Sequence, residues 1–153
     1  MRDNTATLIA TVFGAGRLKP GPGTWGSAAG LLVAYPIAAI AGRQGLLAGC
    51  LAVTLLGVWA SDRYAKQAGN PDPSEVVIDE VAGLWLTLSF MPVLPLNWGI
   101  GFLLFRLFDI WKPWPISWAD RRIEGGIGIM LDDLLAGLLA VITYWGITFA
   151  LLG

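Results

Sequence analysis

Five carboxylates stand where the chain changes between polar and apolar sequence, and they are the first candidates for chemistry. Asp79 and Glu80 open one apolar run, Asp109 follows a second, and Asp132 and Asp133 directly precede a third. A carboxylate at such a boundary is costly to bury unless it is paired or binds a metal ion. The chain has no histidine and one cysteine, and carboxylate clusters of this kind suit hard divalent ions, magnesium first. We therefore predict a magnesium site with Asp79, Glu80, Asp132 and Asp133 as ligands.

Positive charge and a glycine-rich loop accompany these carboxylates. Residues 14–27, GAGRLKPGPGTWGS, combine glycines that let the backbone approach a ligand with the cations Arg17 and Lys19. The free N–H groups of the helix that follows suit an anion such as phosphate. Arg106 and Lys112 flank Asp109. The combination predicts a phosphate monoester held between metal and basic side chains.

Each motif also has a purely structural interpretation. The loop lacks the G-K-[ST] of a Walker loop and could be only a turn that enters a membrane. The acidic segment Glu75–Glu80 could decorate a helix start, with Glu75 and Asp79 repelling each other one turn apart. Arg106 and Asp109, three residues apart, could form a surface ion pair. Asp132-Asp133 could merely cap the helix that follows.

Five helical segments are predicted to position these residues. The first has Thr24 as its N-cap and a kink at Pro36, and the turn Gly42–Gly45 separates it from the second. The third begins at Asp72–Glu75, which resembles a capping box with proline at the first helical position. A proline ends the fourth segment. The predicted segments are residues 24–41, 45–61, 72–90, 96–112 and 134–152.

The composition predicts an integral membrane protein. The chain is 56% hydrophobic and 14% charged, whereas ordinary soluble domains are about 25% charged. The predicted helices are near the short end for a membrane span, and short apolar helices also occur in the cores of soluble bundles. Their apolar character is nearly continuous around each helix, which favours the membrane. The predicted fold is all-α: a single-domain, multi-pass membrane helix bundle of about five short helices over residues 1–153.

The basic residues predict the orientation of this bundle. If the N-terminus is cytoplasmic and all five helices span, nine of the ten basic residues lie inside and only Arg43 lies outside, a strong positive-inside bias. The polar site is then at the cytoplasmic face. The N-terminus lacks a long apolar run and is not predicted to be a signal peptide. The basic residues on the inner side are Arg2, Arg17, Lys19, Arg63, Lys66, Arg106, Lys112, Arg121 and Arg122.

The net charge and the single cysteine argue against nucleic-acid binding and against a disulfide framework. A net charge of −1 gives no general attraction to nucleic acid. Cys50 lies in an apolar run, where we interpret it as a small packing residue. A single cysteine also forms no disulfide within one chain.

Four segments together resemble the phosphatidylglycerophosphatase A family: GAGRLKPGPGTWGS, VVIDEVAGLW, FRLFDIWKPWPI and GGIGIMLDDLLAG. They occur in the family's order from Gly14 to Gly137. The resemblance implies a magnesium-dependent enzyme of phospholipid biosynthesis in the bacterial inner membrane, which hydrolyses phosphatidylglycerophosphate to phosphatidylglycerol. One departure is that the chain has Lys19-Pro20 where family members often have Pro-Lys. The family's acidic positions match Asp79, Glu80, Asp109, Asp132 and Asp133, and its loop and basic positions match Gly23, Thr24, Arg106 and Lys112.

Elimination narrows the mechanism. Without histidine, without a C-x5-R motif around Cys50 and without a D-x-D nucleophile motif, three phosphatase classes are excluded. The mechanism that remains uses a metal ion held by carboxylates, with Asp79 as a ligand and Asp109 as general base or nucleophile. Arg106 and Lys112 would neutralise the charge on the phosphoryl group. Lys19, Gly23 and Thr24 are the further candidates for substrate phosphate.

Two rival functions differ in class. A small ion transporter would use the same carboxylates, but it would need them at mid-span rather than at helix ends. A phosphotransferase acting on CDP-diacylglycerol would carry the D-G-x2-A-R signature, which is absent. The predicted partner is a membrane phospholipid substrate, and a homo-oligomer is left open.

Overall fold

The computed structural model describes residues 3–153, and its regular secondary structure over that range is entirely helical. A short 3₁₀ turn at Ala15–Arg17 precedes the long second helix. Arg2, one of the basic residues used for the orientation, lies outside the described residues. The α-helices are α1 (Asn4–Ala10), α2 (Pro22–Ala68), α3 (Ile78–Ser89), α4 (Pro95–Trp111), α5 (Ile116–Arg122) and α6 (Gly125–Leu152).

Helix α2 is folded back on itself at Gly42. Gly42 has φ 62° and ψ −163°, the only non-helical backbone angles inside α2, so the break belongs to this glycine and not to Pro36. Two antiparallel arms result, residues 22–41 (the first arm) and 43–68 (the second arm). A Cβ added at Gly26 would meet Val77 and one at Gly30 would meet Val81, whereas Gly49 faces Trp85 and Gly57 faces Ile78. The two arms thus pass α3 in opposite directions, as predicted for two helices joined by a turn.

Helix α3 is short, central and almost wholly buried. All of its twelve residues except Asp79 and Leu86 are buried. Its predicted start at Asp72–Glu75 is wrong, because those residues form turns and the helix begins at Ile78. The N–H of Val77 donates to the carbonyl of Ala10 at 2.9 Å. This hydrogen bond to the end of α1 occupies the Val77 N–H, which would donate within α3 if the helix began earlier.

Helix α6 begins nine residues before the predicted start at Leu134. Its first residues are glycines, which sequence patterns associate with loops, but their lack of a side chain has a packing role here. A Cβ at Gly126 would overlap the carbonyl oxygen of Val58 in the second arm. Asp132 and Asp133 consequently lie two turns inside α6. The interpretation of these two residues as N-terminal caps is therefore wrong.

The alternating directions of the helices bring their polar ends together. The first arm and α3 both start at this end, where Gly23 faces Glu80. Helix α4 ends there, because Lys112 reaches Asp132 of α6. At the opposite end, the guanidinium of Arg43 lies 4.4 Å from the centre of the Phe90 ring. The candidate chemical residues are thereby gathered at one end of the bundle.

The outer surface of the bundle is apolar. Helices α2 and α6 are long and apolar enough to cross a membrane, and fewer than a third of the residues in their most apolar windows are buried. Leu32, Ile40 and Phe149 are at least three-quarters exposed. A core helix of a soluble protein would bury such side chains, and contiguous apolar surface marks a membrane or protein contact.

Candidate active site

Three carboxylates from two helices converge at the polar end of the bundle. One oxygen each from Asp79, Glu80 and Asp133 lies within 4.8 Å of the others. The pair on α3 meets the residue on α6 because the two helices cross closely at Gly83, where a Cβ would overlap the carbonyl oxygen of Asp133. Like charges at this spacing repel unless a cation lies among them.

The hydrogen bonding of these carboxylates is incomplete. Oδ1 of Asp79, Oδ2 of Asp133 and Oδ1 of the neighbouring Asp132 are buried and have no hydrogen-bond partner among residues 3–153. A buried polar atom without a partner costs about 1–3 kcal/mol, and more if it is charged. Magnesium prefers oxygen ligands, usually one or two carboxylates with water or substrate oxygens. The side chains of Asp79, Glu80 and Asp133 therefore fit a hard divalent ion.

Arg106 connects this cluster to Asp109. Its Nη1 lies 3.1 Å from Oε2 of Glu80 and also donates to Oδ2 of Asp109. The other hydrogen bond to Glu80 comes from Ser27, whose hydroxyl donates to Oε2 at 2.9 Å from a fully buried position. Glu80 is thus fixed from both the first arm and α4. Arg106 retains further N–H donors, because a guanidinium has five.

Lys112 organises a second group of carboxylates. Its Nζ lies 2.8 Å from Oδ1 of Asp120 and 3.1 Å from Oδ2 of Asp132. Burial alone would lower the pKa of this ammonium group, but hydrogen bonds and negative charge from Asp120 and Asp132 outweigh burial and raise it above its usual value. Lys112 is therefore a permanent cation beside the carboxylate cluster. Asp132 pairs with it rather than joining the group of three.

A cavity of about 320 Å³ joins the two groups. Six carboxylates and two cationic side chains line it, a formal charge of −4 if all are ionised. An anionic phosphate would be repelled from such a cavity unless cations accompanied it. The glycine-rich loop supplies one wall, and a Cβ at Gly23 would overlap Oε1 of Glu80. The charged residues in the lining are Asp72, Asp79, Glu80, Arg106, Asp109, Lys112, Asp132 and Asp133.

Several predicted loop residues lie away from this cavity. Lys19 and Thr24 are exposed and do not contribute to its lining. Thr24 is not the N-cap of the first arm either, because Gly21 occupies that position. Arg17 faces a separate polar cavity with Tyr64 and Gln67. Of the residues predicted to contact phosphate, Gly23, Arg106 and Lys112 line the site.

Sequence reasoning missed three residues that the fold places here. Ser27 stands at the end of the glycine-rich motif, one helical turn after Gly23, so its position on the same face was available as a signal. Asp120 lies in a polar segment that was not predicted to be helical. The segment forms α5, which brings Asp120 into contact with Lys112. Asp72 was assigned to a capping box, but it lies in the turn before α3 and lines the cavity.

Comparison with known proteins gives consistent matches along most of the chain. The profile of the family Phosphatidylglycerophosphatase A matches residues 8–148. Phosphatidylglycerophosphatase A of Haemophilus influenzae is 37% identical over 150 residues, covering 97% of this chain and 92% of the relative. Its namesake from Escherichia coli is 39% identical over 134 residues, covering 87% of this chain and 77% of the relative. A protein of Bacteroides thetaiotaomicron, provisionally named a phosphatidylinositol-3-phosphatase, is 34% identical over 142 residues, covering 88% of each chain. No solved structure matches the chain significantly.

These matches confirm the resemblance inferred from the four motifs. The matched range contains all five predicted carboxylates together with Arg106 and Lys112. It also covers α2, α3 and α4 completely and α6 as far as residue 148. The chain belongs to the phosphatidylglycerophosphatase A family and is a phosphatase.

Proposed function

We propose that this enzyme hydrolyses phosphatidylglycerophosphate to phosphatidylglycerol and phosphate in a magnesium-dependent reaction. The observation that carries the proposal is the group of Asp79, Glu80 and Asp133, with ligand oxygens within 4.8 Å and two buried oxygens unpartnered, beside Arg106. The names of the relatives from Haemophilus influenzae and Escherichia coli supply the substrate. The apolar exterior of the bundle suits a substrate that resides in a bilayer.

Asp79, Glu80 and Asp133 would hold magnesium, with Asp132 at the edge of the group. Bound magnesium would supply charge stabilisation at the phosphoryl oxygens and a lower pKa for a coordinated water. Ser27 and Gly23 keep Glu80 in place, the first by a hydrogen bond and the second by leaving room for the carboxylate. The ligand geometry is therefore set by contacts between the first arm and α3.

The cationic side chains would bind the phosphate. Arg106 has N–H donors beyond those used by Glu80 and Asp109, and a guanidinium matches the oxygens of a phosphate group. Lys112 adds a point charge on the other side of the cavity. Both would stabilise negative charge on the transferring phosphoryl group.

Asp109 is the candidate general base or nucleophile. Its Oδ2 accepts from Arg106, which leaves Oδ1 to accept a proton from water or to approach phosphorus. The ion pair with Arg106 orients the carboxylate. The same pair would couple phosphate binding to the position of Asp109.

The active site is placed at the cytoplasmic face of a bacterial inner membrane in this proposal, with the two arms of α2, α3, α4 and α6 embedded as a multi-pass bundle. The positive-inside distribution supports this orientation. Trp111, Trp114 and Trp118 are exposed around α5, close to Lys112. Tryptophan is enriched at the membrane–water interface, so α5 is expected to lie along the membrane surface.

Phosphate release by the purified, detergent-solubilised protein tests the proposal. Phosphatidylglycerophosphate should release phosphate with magnesium, lose this activity in EDTA and recover it when magnesium is restored. Phosphatidylinositol 3-phosphate should be a poor substrate. Full turnover in EDTA would refute the metal requirement, and a preference for the inositol lipid would refute the substrate assignment.

A further inference from the structure

A continuous apolar groove runs between the first arm and α4. It consists of two cavities of about 400 Å³ and 420 Å³, which share Leu31, Pro95 and Gly99 in their linings. Tyr35 and Trp98 stand edge to face across it, with ring centres 6.1 Å apart. The remaining lining is almost entirely aliphatic or aromatic. We call this feature the arm–α4 groove.

The arm–α4 groove lies on the same face of α4 as the active site. At 100° per residue, Pro95, Gly99, Phe102, Arg106 and Asp109 fall within an arc of about 80°. Pro95 and Gly99 line both cavities of the groove. Arg106 and Asp109 line the active-site cavity. On the opposite wall, Gly23 lines the active-site cavity and Leu31, about two helical turns further along the first arm, lines the groove.

The distance from Arg106 to the far end of the groove is close to the length that an acyl chain covers in one leaflet of a bilayer. Arg106 and Pro95 are eleven residues apart on α4, which corresponds to about 16 Å at 1.5 Å per residue. One leaflet of a hydrocarbon core of about 30 Å has a depth of about 15 Å. A lipid whose phosphate lay beside Arg106 would therefore place its acyl chain along the groove.

We propose that the arm–α4 groove binds an acyl chain of the lipid phosphate substrate. This inference rests on the proposed function and extends it, since it assigns part of the substrate recognition to the apolar walls. The enzyme should accordingly discriminate against phosphate esters with short chains.

Gly99 offers a way to fill the groove without disturbing the fold. A Cβ built at Gly99 has no heavy atom within 4 Å, so a larger side chain would enter open space. Gly146 on α6 is also exposed and open, and it lies outside the groove, which makes Gly146→Leu the matched control. On the opposite wall, Leu32→Trp adds bulk at a side chain that is 76% exposed. Leu51→Trp, on the second arm, is its control.

The experiment compares kcat/KM for dipalmitoyl and dihexanoyl phosphatidylglycerophosphate in mixed micelles. Displacing about two methylene contacts should lower the long-chain to short-chain ratio about tenfold in Gly99→Leu. Leu32→Trp should lower the ratio in the same direction, and both controls should keep the wild-type ratio. An unchanged ratio in Gly99→Leu, including equal losses of activity on both substrates, would refute acyl-chain binding in the groove. Absence of phosphate release by the wild type from either lipid would instead overturn the proposed function.

Discussion

At the scale of single residues, the structure separates carboxylates that looked equivalent in the sequence. Asp132 and Asp133 are neighbours in the chain, but they point to different partners. Asp132 pairs with Lys112, whereas Asp133 joins Asp79 and Glu80. Adjacent residues of a helix are about 100° apart, so they cannot share one face. The pair therefore connects the cationic and the acidic parts of the site.

Asp133→Asn should abolish activity without loss of stability. The amide keeps the shape of the side chain but removes an anionic ligand, and phosphate release should fall by at least about 100-fold. The melting temperature in detergent should stay the same or rise, because a like charge has been removed from a buried group. Near-normal turnover would exclude Asp133 from the metal site.

Gly23→Ala should lower activity by displacing the Glu80 side chain. The added Cβ would overlap Oε1 of Glu80 and push the carboxylate from its position. A displacement of about 1 Å at a catalytic group can lower the rate about 100-fold, and kcat should fall accordingly. Gly146→Ala, where the new methyl group meets nothing within 4 Å, is the control for glycine replacement in a helix. Equal activity in the two variants would contradict a role for the start of the first arm in holding Glu80.

At the scale of helices, glycine contacts decide how the site is assembled. Gly83 and Gly137 allow α3 and α6 to approach until backbone nearly meets backbone. Gly126 gives the same close approach between α6 and the second arm. Without hydrophobic attraction between helices in lipid, such close packing is a main source of association. The carboxylates of α3 and α6 meet because these small residues allow it.

Gly83→Ala should destabilise the bundle as well as inactivate it. The new Cβ would overlap the carbonyl of Asp133 and lie 2.6 Å from the Phe105 ring. Overpacking of this kind costs about 1–3 kcal/mol, which should lower the melting temperature of the detergent-purified protein. In Gly99→Ala the methyl group enters open space, so the melting temperature should not fall. If Gly83→Ala melted like the wild type, the close crossing of α3 and α6 would be refuted.

At the scale of the whole molecule, the charged residues and the apolar surface are separated along one axis. The charged cavity lies at one end, Arg43 lies at the other, and exposed apolar side chains surround the helices between them. This distribution fits a membrane protein with its polar site at one interface. Helix α3 takes no part in this apolar surface, because the two arms, α4 and α6 surround it.

Thiol labelling should reveal the orientation in the membrane. Gly42 and Gly69 have positive φ values, so cysteine would be strained there, and the exposed neighbours Gln44 and Asn70 are the better positions. In a Cys50→Ala background, an impermeant reagent should label Gln44→Cys in intact cells. Asn70→Cys should react only after the inner membrane is permeabilised. The opposite pattern would place the active site outside the cytoplasm.

The sequence by itself determined the helical class, the family and the residue types of the site. Apolar runs interrupted by short charged segments are local patterns, so the turn at Gly42 and the extent of α4 could be predicted within about one residue. The likeness of four ordered motifs to one family was equally independent of the fold. Carboxylates without histidine also favoured a hard metal ion as the expected cofactor before any distance was known.

Only the tertiary structure decided which residues meet. The start of α6 at Gly125 and the loop before α3 depend on contacts with the second arm and with α1, which no local pattern encodes. A glycine that permits close helix packing has the same sequence signal as a glycine in a loop. For that reason the sequence left two interpretations of Asp133 open, a metal ligand and a helix cap, and the crossing of α3 and α6 placed it beside Asp79 and Glu80.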